Sequence, residues 1–183
     1  MSQRQASLWF GIALAVVVPG LSDRAAAQSA ASHVGDISQA IRLDHEETIR
    51  HLTAISSRKT PVGPIAKEAL AVVRKHHADE LAFILPPLVL LQSLADGKVS
   101  NDMRWAIAMA DRVKSEKEAI FATHAKITDL MNKLLLAAEK VHDRDAIEFA
   151  ESAVTDSLSD MELQEPMTLL IGEYLRAKLP PGP

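Results

Sequence analysis

The chain has 183 residues, of which 48% are hydrophobic and 24% charged, and its 24 acidic and 20 basic residues give a formal net charge of −4. This balance offers no basic surface for nucleic acid. The chain contains no cysteine, which excludes disulfides, iron–sulfur clusters, thiolate zinc sites and covalent c-type haem. Any metal must therefore be held by imidazole and carboxylate groups, which suit iron, zinc, manganese or copper.

The first 27 residues have the pattern of a bacterial export signal. Arg4 supplies a positive charge, residues 8–21 form an apolar stretch, and the alanines at 25–27 complete a small-residue cleavage site. The apolar stretch is shorter than a membrane-spanning helix requires. The sequence thus predicts a periplasmic or secreted protein with no membrane span in its mature part.

Beyond the signal, apolar residues recur at three- and four-residue steps, the period of an amphipathic helix. A first helix is predicted from its N-cap Asp36 to about Ser57. A loop follows, and Pro64 at its end can be the first residue of a second helix. That helix is expected to end or kink at Pro86 and Pro87, because proline cannot donate a backbone hydrogen bond.

The second half of the chain predicts two long helices and no β-strand. Residues 96–97 are a turn signal, a third helix covers about 100–141, and a fourth covers about 144–179 despite Pro166. Four amphipathic helices with short connections bury their apolar faces best as an all-α, antiparallel up-down four-helix bundle. The predicted organisation is a signal peptide over 1–27, a disordered tether over 28–35, the bundle over 36–179 and a tail over 180–183.

Four polar residues stand on the apolar faces of three predicted helices. They are His45 on the first helix, His76 and Glu80 on the second, and His124 on the third. A buried imidazole or carboxylate is unfavourable unless a partner satisfies it, and one bound metal would serve all four. His76 and Glu80 are four residues apart, so both lie on one helix face and can bind one ion or bracket two.

A faint internal repeat adds a carboxylate on the fourth helix. The pair at 76 and 80 follows His45 by 31 and 35 residues, and Leu158 and Glu162 follow His124 by 34 and 38 residues. Each half of the chain is therefore a helical hairpin with one histidine on its first helix and a pair of positions on its return helix. Glu162 is the resulting candidate, while Leu158 replaces the second histidine.

With these residues, the chain resembles the hemerythrin-like, or HHE cation-binding, family. The resemblance depends on Leu43-Asp44-His45, on His76-x-x-x-Glu80 followed six residues later by Pro86, and on His124, and it extends over about residues 37–174. It implies a four-helix bundle with a non-haem iron site, often di-iron, that binds oxygen or related small molecules, or stores or senses iron. The ligands that it implies are His45, His76, Glu80, His124 and Glu162.

Leu158 stands where the family's second His-x-x-x-Glu motif needs a histidine, so the ligand set for two ions is incomplete. Two ions, one ion with an open position for a small ligand, and a site without metal are outcomes that the sequence leaves open. His77, His51 and Glu165 are alternative ligands if the helices are rotated differently. Otherwise His77 is expected to face outward or to lie at a helix boundary, and His51 to lie on a flank.

Two functions of different class follow. The first is an exported hemerythrin-like protein that holds one or two non-haem iron ions, or another divalent metal, and binds or senses oxygen, nitric oxide or peroxide. Binding is expected rather than catalysis, because no general acid or base stands beside the ligands. The alternative is a metal-free helical bundle for protein contacts in the cell envelope. Glu139-x-x-His142 matches the ferritin-like Glu-x-x-His unit only once and at a helix end, so it is interpreted as coincidence.

Overall fold

The computed structural model describes residues 37–181, and for residues 156–162 it describes the backbone without the side chains. The predicted signal peptide, the tether and the N-cap Asp36 lie outside these residues. The described chain is all-helical and contains no β-strand between residues 37 and 181, which confirms the predicted all-α class. Its α-helices are α1 Gln39–Ser56, α2 Val62–Asp79, α3 Leu91–Ala95, α4 Trp105–Lys140 and α5 Arg144–Lys178.

Helices α1 and α2 form a first hairpin. Helix α1 begins after Ser38, whose hydroxyl accepts a 3.2 Å hydrogen bond from the backbone N–H of Ala40 and so acts as the N-cap. Helix α2 begins at Val62, two residues before the predicted start at Pro64, because the backbone at Pro61 is already helical. A proline in the first turn breaks no hydrogen bond, since the first N–H groups of a helix have no partner within it.

A wider helical turn ends α2 before the Pro86-Pro87 pair. Glu80–Ile84 form a π-helix, in which the N–H of Leu85 donates to the carbonyl of Glu80 at 2.8 Å, and Pro86–Leu90 form a 3₁₀-helix. The prolines cannot donate to the preceding turn. The carbonyl of Ile84 accepts instead from the buried hydroxyl of Thr168 on α5, at 2.6 Å. The helical path bends by about 40° at this break, as the two prolines predict.

Helices α4 and α5 form a second hairpin and pack along each other. His142 makes the turn between them with a left-handed backbone, φ 55°, and the carboxylate of Asp143 caps α5 by accepting from the N–H of Ala146 at 3.3 Å. Near the other end of α5, Gly172 lies so close to Ala110 of α4 that a Cβ at position 172 would overlap the Ala110 methyl group. A glycine therefore permits the close approach of the two helices here.

The main core cluster lies between the two hairpins. It draws fully buried residues from all four long helices: Leu52, Ile55, Ala66, Ala69, Leu134, Ala138, Ala146 and Ala150. At the same end of the molecule, Arg58 pairs with Asp143 and Asp145, and His51 lies 2.8 Å from Asp145. These ion pairs connect the first hairpin to the start of α5, and they place His51 on the flank of the molecule, as predicted.

Among the described residues, no single helix combines the length and the apolar composition that a membrane span requires. One bent pair, Val62–Ile84 with Pro86–Ala95, meets that requirement by length and composition alone. In α2, Ala66, Ala69 and Val73 are buried within the core.

Candidate metal centre

The polar residues of the predicted apolar faces lie together between the two hairpins. His45 of α1, His76 of α2, Glu80 at the start of the π-helix and His124 of α4 are all buried, and His124 is completely inaccessible. Two further side chains join them, and we call the six residues the His/Glu cluster. Its members are His45, His76, His77, Glu80, His124 and Glu165.

Glu80 occupies the middle of the cluster and is only 2% exposed. Its Oε1 lies 3.1 Å from Nε2 of His76, and its Oε2 lies 3.4 Å from Nε2 of His45. Burial by itself raises the pKa of Glu80, but the hydrogen bond from His76 and the neighbouring histidines outweigh it and hold the pKa below its ordinary value. Glu80 is therefore a carboxylate at neutral pH, which is the state that binds metal.

The imidazole of His77 stacks on that of His45 across the first hairpin. The ring centroids are 3.9 Å apart and the planes differ by 11°. Burial, together with the nearby His45, lowers the pKa of His77 to about 4, and burial also lowers the pKa of His45. Both rings are thus neutral at physiological pH, as metal ligands must be.

Three side chains of the cluster are arranged to hold one ion. One ligand atom from each of His45, His77 and Glu80 lies within 4.8 Å of the others. Within the described chain, Nδ1 of His45, Nδ1 of His77 and Oε2 of Glu80 are buried without a hydrogen-bond partner, although such atoms normally have one. Two imidazoles and a carboxylate form a donor set that suits iron, zinc or manganese. These residues therefore fit a divalent metal ion.

The other half of the cluster faces the second hairpin. The ring of His76 meets that of His124 edge-on, with centroids 4.5 Å apart and planes at 76°. Nε2 of His124 lies 2.8 Å from Oε1 of the buried Glu165 on α5. The contacts from Glu80 through His76 and His124 to Glu165 form a continuous polar path across the core. This path fixes the orientation of Glu80 through His76.

Of the predicted ligands, the structure brings His45, His76, Glu80 and His124 together, and their role as ligands stays a prediction. The side chain of the fifth candidate, Glu162, lies outside the described residues, as does that of Leu158. His77 lies in the last turn of α2, at the helix boundary that is one of the two positions expected for it, and its ring stacks on that of His45.

The sequence predicts Glu165 only as a substitute ligand, although it carries a signal for the burial of this residue. Glu165, Thr168, Ile171 and Leu175 are spaced by three, three and four residues, and all four are buried. This is the period of one helix face. The apolar residues at 171 and 175 therefore identify the inner face of this part of α5, and Glu165 lies on it.

A cavity of about 430 Å³ adjoins the cluster between α1, α2, α4 and α5. His45, His76 and His77 line it together with apolar side chains and with the polar side chains of Asp44, Thr48 and Gln164. The histidines are consequently accessible from this cavity, which extends to the exposed side chain of Asp44.

Comparisons of the chain with models of protein families, with curated proteins and with solved structures found no match.

Proposed function

We propose that this protein binds one non-haem iron ion through His45, His77 and Glu80, and that it binds or senses oxygen, nitric oxide or peroxide. The observation that carries the proposal is the convergence of these three side chains, whose ligand atoms lie within 4.8 Å of one another. Each of them also has a buried nitrogen or oxygen atom without a hydrogen-bond partner in the described chain. A cation between them would bind one ligand atom of each side chain.

The charges of the site favour a bound cation rather than a polar pocket without one. Glu80 is an ionised carboxylate in the core, and an isolated buried charge costs several kcal/mol unless it is paired. His76 donates a hydrogen bond to Glu80, and the neutral rings of His45 and His77 carry no compensating charge. A divalent ion supplies that charge and also uses the lone pairs that neutral imidazoles offer.

The donor set favours iron with open coordination positions. Two histidines and one carboxylate are the set that non-haem iron(II) sites use when they leave positions free for small molecules. A bound iron ion would supply reversible coordination of oxygen, nitric oxide or peroxide. The protein's own contribution is to exclude bulk water from His45 and Glu80 and to orient Glu80 by the hydrogen bond from His76, since such outer contacts tune metal affinity.

The resemblance to the hemerythrin-like family supports this function, although the ligand residues proposed here differ from those that the resemblance implies. In the proposed site His77 takes a ligand position, while His76 and His124 form the polar path behind it. Two packed helical hairpins with a polar cluster between them are what a four-helix bundle of that family would provide. Export to the periplasm or the medium is part of the proposal and follows from the signal pattern of residues 1–27.

Metal analysis of protein expressed without an affinity tag tests the proposal. We expect about one iron ion per chain after aerobic purification. Glu80→Ala should lose this metal, because it removes the only charged ligand of the proposed set. His142→Asn is the matched control, since it changes a histidine in the turn between α4 and α5 and asparagine tolerates the left-handed backbone there.

Two outcomes would contradict the proposal. One is wild-type protein that holds no metal and does not take up Fe²⁺ or Zn²⁺ in solution, which would favour the metal-free helical bundle. The other is a Glu80→Ala protein that retains the wild-type metal content, which would place the ion elsewhere in the molecule.

A further inference from the structure

The carbonyl group of Ile84, at the end of the π-helix, has lost the donor that an α-helix would give it. That donor would be the N–H of Leu88, four residues later. The intervening pair Pro86-Pro87 turns the chain into a 3₁₀-helix, and the Leu88 N–H donates to Leu85 instead, at 3.0 Å. A buried carbonyl without a donor is unfavourable, so this one needs a partner from another segment.

Thr168 of α5 supplies that partner. Its hydroxyl donates to the Ile84 carbonyl at 2.6 Å, and the residue is completely buried. A threonine within a helix commonly turns its hydroxyl to the carbonyl four residues earlier in the same helix. This hydroxyl bonds to a different segment, and so it connects α5 to the far end of the turn that Glu80 begins.

Apolar contacts also hold this turn, but they do not fix its position along α5. Phe83 and Ile84 are buried in a small core cluster with Met109 and Val113 of α4. Burial of apolar surface is non-directional, whereas a hydrogen bond requires a particular distance and angle. The hydroxyl of Thr168 therefore fixes the turn at one place relative to α5.

The inner face of α5 is thus connected to Glu80 in two ways. Glu165 bonds to His124, whose ring meets that of His76. His76 in turn bonds to the carboxylate of Glu80. Thr168, three residues after Glu165 on the same helix face, holds the end of the turn whose first residue is Glu80. The first connection acts on the side chain of Glu80, and the second acts on its backbone.

We propose that Thr168 is a positioning residue of the metal centre, whose hydroxyl holds the Ile84 carbonyl and thereby keeps Glu80 in place beside the two histidine ligands. The inference rests on the proposed metal function, in which Glu80 is the carboxylate ligand. Thr168 acts through the turn, because its hydroxyl bonds to a backbone carbonyl and not to a ligand. Loss of a contact that orients a ligand typically lowers metal affinity about 10–100-fold.

Calorimetric titration with Zn²⁺ tests the inference on the wild type and two variants. The wild type is titrated first, so that failure to bind metal is recognised before the variants are compared. Thr168→Val keeps nearly the same shape but removes the donor, and it should weaken Zn²⁺ binding about tenfold or more. Thr168→Ser keeps the hydroxyl and should bind Zn²⁺ within about threefold of the wild type.

A control variant separates positioning from a general loss of stability. Ile55 is fully buried in the main core cluster, in the last turn of α1 and away from the turn at Glu80. Ile55→Val and Ile55→Ala remove one and three carbon atoms there, so their urea midpoints should lie on either side of that of Thr168→Val. Both should bind Zn²⁺ within about threefold of the wild type, measured without urea.

The visible absorption spectrum of Co²⁺-loaded protein reports the arrangement of the ligands, which a loss of stability alone does not change. Thr168→Val should shift the Co²⁺ bands, while Thr168→Ser and Ile55→Val should retain the wild-type spectrum. Thr168→Val that binds Zn²⁺ as tightly as the wild type with unshifted Co²⁺ bands would overturn the inference and leave the metal site standing. So would an Ile55 variant that weakens Zn²⁺ binding as much as Thr168→Val does.

Hydrogen exchange of the wild-type protein gives a readout that does not depend on a variant that folds. The N–H of Leu85 bonds to the carbonyl of Glu80, while the N–H of Asp143 bonds to Ala138 at the far end of α4. Because the turn and Glu80 are held together, Zn²⁺ should slow exchange at Leu85 more than at Asp143. Equal slowing at the two positions would overturn the inference alone, and wild-type protein that takes up no metal would overturn both proposals.

Discussion

The imidazole rings of His45 and His77 lie face to face, 3.9 Å apart, although they belong to different helices. Two protonated rings at this distance would repel each other, and burial lowers the pKa of both. The contact is therefore one between neutral rings. It holds α1 against the last turn of α2 at the position where Glu80 begins the wide turn, and it presents two imidazoles to one carboxylate.

The first prediction separates the two neighbouring histidines of α2. His77→Ala should weaken Zn²⁺ binding more than His76→Leu does, because His77 is a proposed ligand and His76 only orients Glu80. Loss of such an orienting contact typically lowers metal affinity about 10–100-fold. Competition with a chromophoric chelator measures both affinities. The opposite order of effects would assign the ligand role to His76, as the family resemblance originally implied.

The metal-free protein should lose stability in mild acid. The pKa of His77 is about 4 in the folded protein, against 6.5 for an ordinary histidine, and that of His45 is also lowered. As the pH falls below 6.5, the unfolded chain binds protons that the folded chain does not, so the free energy of unfolding decreases until about pH 4. The lowered pKa of Glu80 has the same sign, in the range below its ordinary value of 4.5.

Urea unfolding of chelator-treated protein at pH 7.5, 6 and 5 measures this effect. We expect His77 alone to account for a loss of roughly 1–2 kcal/mol between pH 7 and pH 5. His77→Leu should show a flatter pH dependence, since it removes the group. An equal free energy of unfolding at pH 7.5 and pH 5 in the wild type would contradict this prediction.

The contact between the side chains of His124 and Glu165 should increase the free energy of unfolding. Both side chains are buried, and Nε2 of His124 lies 2.8 Å from Oε1 of Glu165. Glu165→Leu should lower the free energy of unfolding by about 1–3 kcal/mol, because it leaves Nε2 of His124 without this acceptor. The double variant His124→Leu with Glu165→Leu should lose less than the sum of the single losses.

A comparable pair on the surface serves as the control for this cycle. Lys126 of α4 pairs with Glu68 of α2, and both side chains are about half exposed. Glu68→Gln should change the free energy of unfolding by less than about 1 kcal/mol, since exposed ion pairs contribute little. Additive losses at His124 and Glu165 would show that the buried contact makes no contribution of its own.

The close approach of α4 and α5 at Gly172 gives a prediction about packing. Gly172→Ala should destabilise the protein by about 1–3 kcal/mol through overpacking against Ala110, although alanine is the better helix former by about 1 kcal/mol. Ala110→Gly in the same chain removes the opposing methyl group and should restore part of the loss. Thermal unfolding of the three variants checks this, and a Gly172→Ala protein as stable as the wild type would be inconsistent with the packing described.

The sequence predicted the helices well because their ends are marked by strong local signals. The prolines at 86 and 87 predicted the break after α2, and the turn at 142–143 predicted the boundary between α4 and α5. The start of α2 was predicted two residues late, since Pro61 and Pro64 both suit a helix N-terminus and local preference does not choose between them. The π-helix was not predicted, because its hydrogen bond, which joins residues five apart along the chain instead of four, depends on how the chain meets α5.

The site was harder to predict because it depends on helix rotation. His76 and His77 are adjacent, and an α-helix turns about 100° per residue, so a single apolar stripe can include only one of them. In the structure α2 has neighbours on two sides, and His76 faces α4 while His77 faces α1. Glu162 and Glu165 are three residues apart and share a helix face, so the sequence pattern alone did not decide which of them would meet His124.

The π-helix at Glu80–Ile84 has a consequence for how this protein can diverge. Glu80 is the first residue of that turn. A change in the number of residues after Glu80 therefore leaves the spacing between the histidines of α2 and this carboxylate unchanged. Removing one residue between positions 81 and 83 would convert the turn to α-helical geometry, because a π-turn holds one residue more than an α-turn, and would leave the contact of the Ile84 carbonyl with Thr168 in place. A one-residue deletion in this turn is therefore expected to be tolerated in related chains, since it leaves the carboxylate in place.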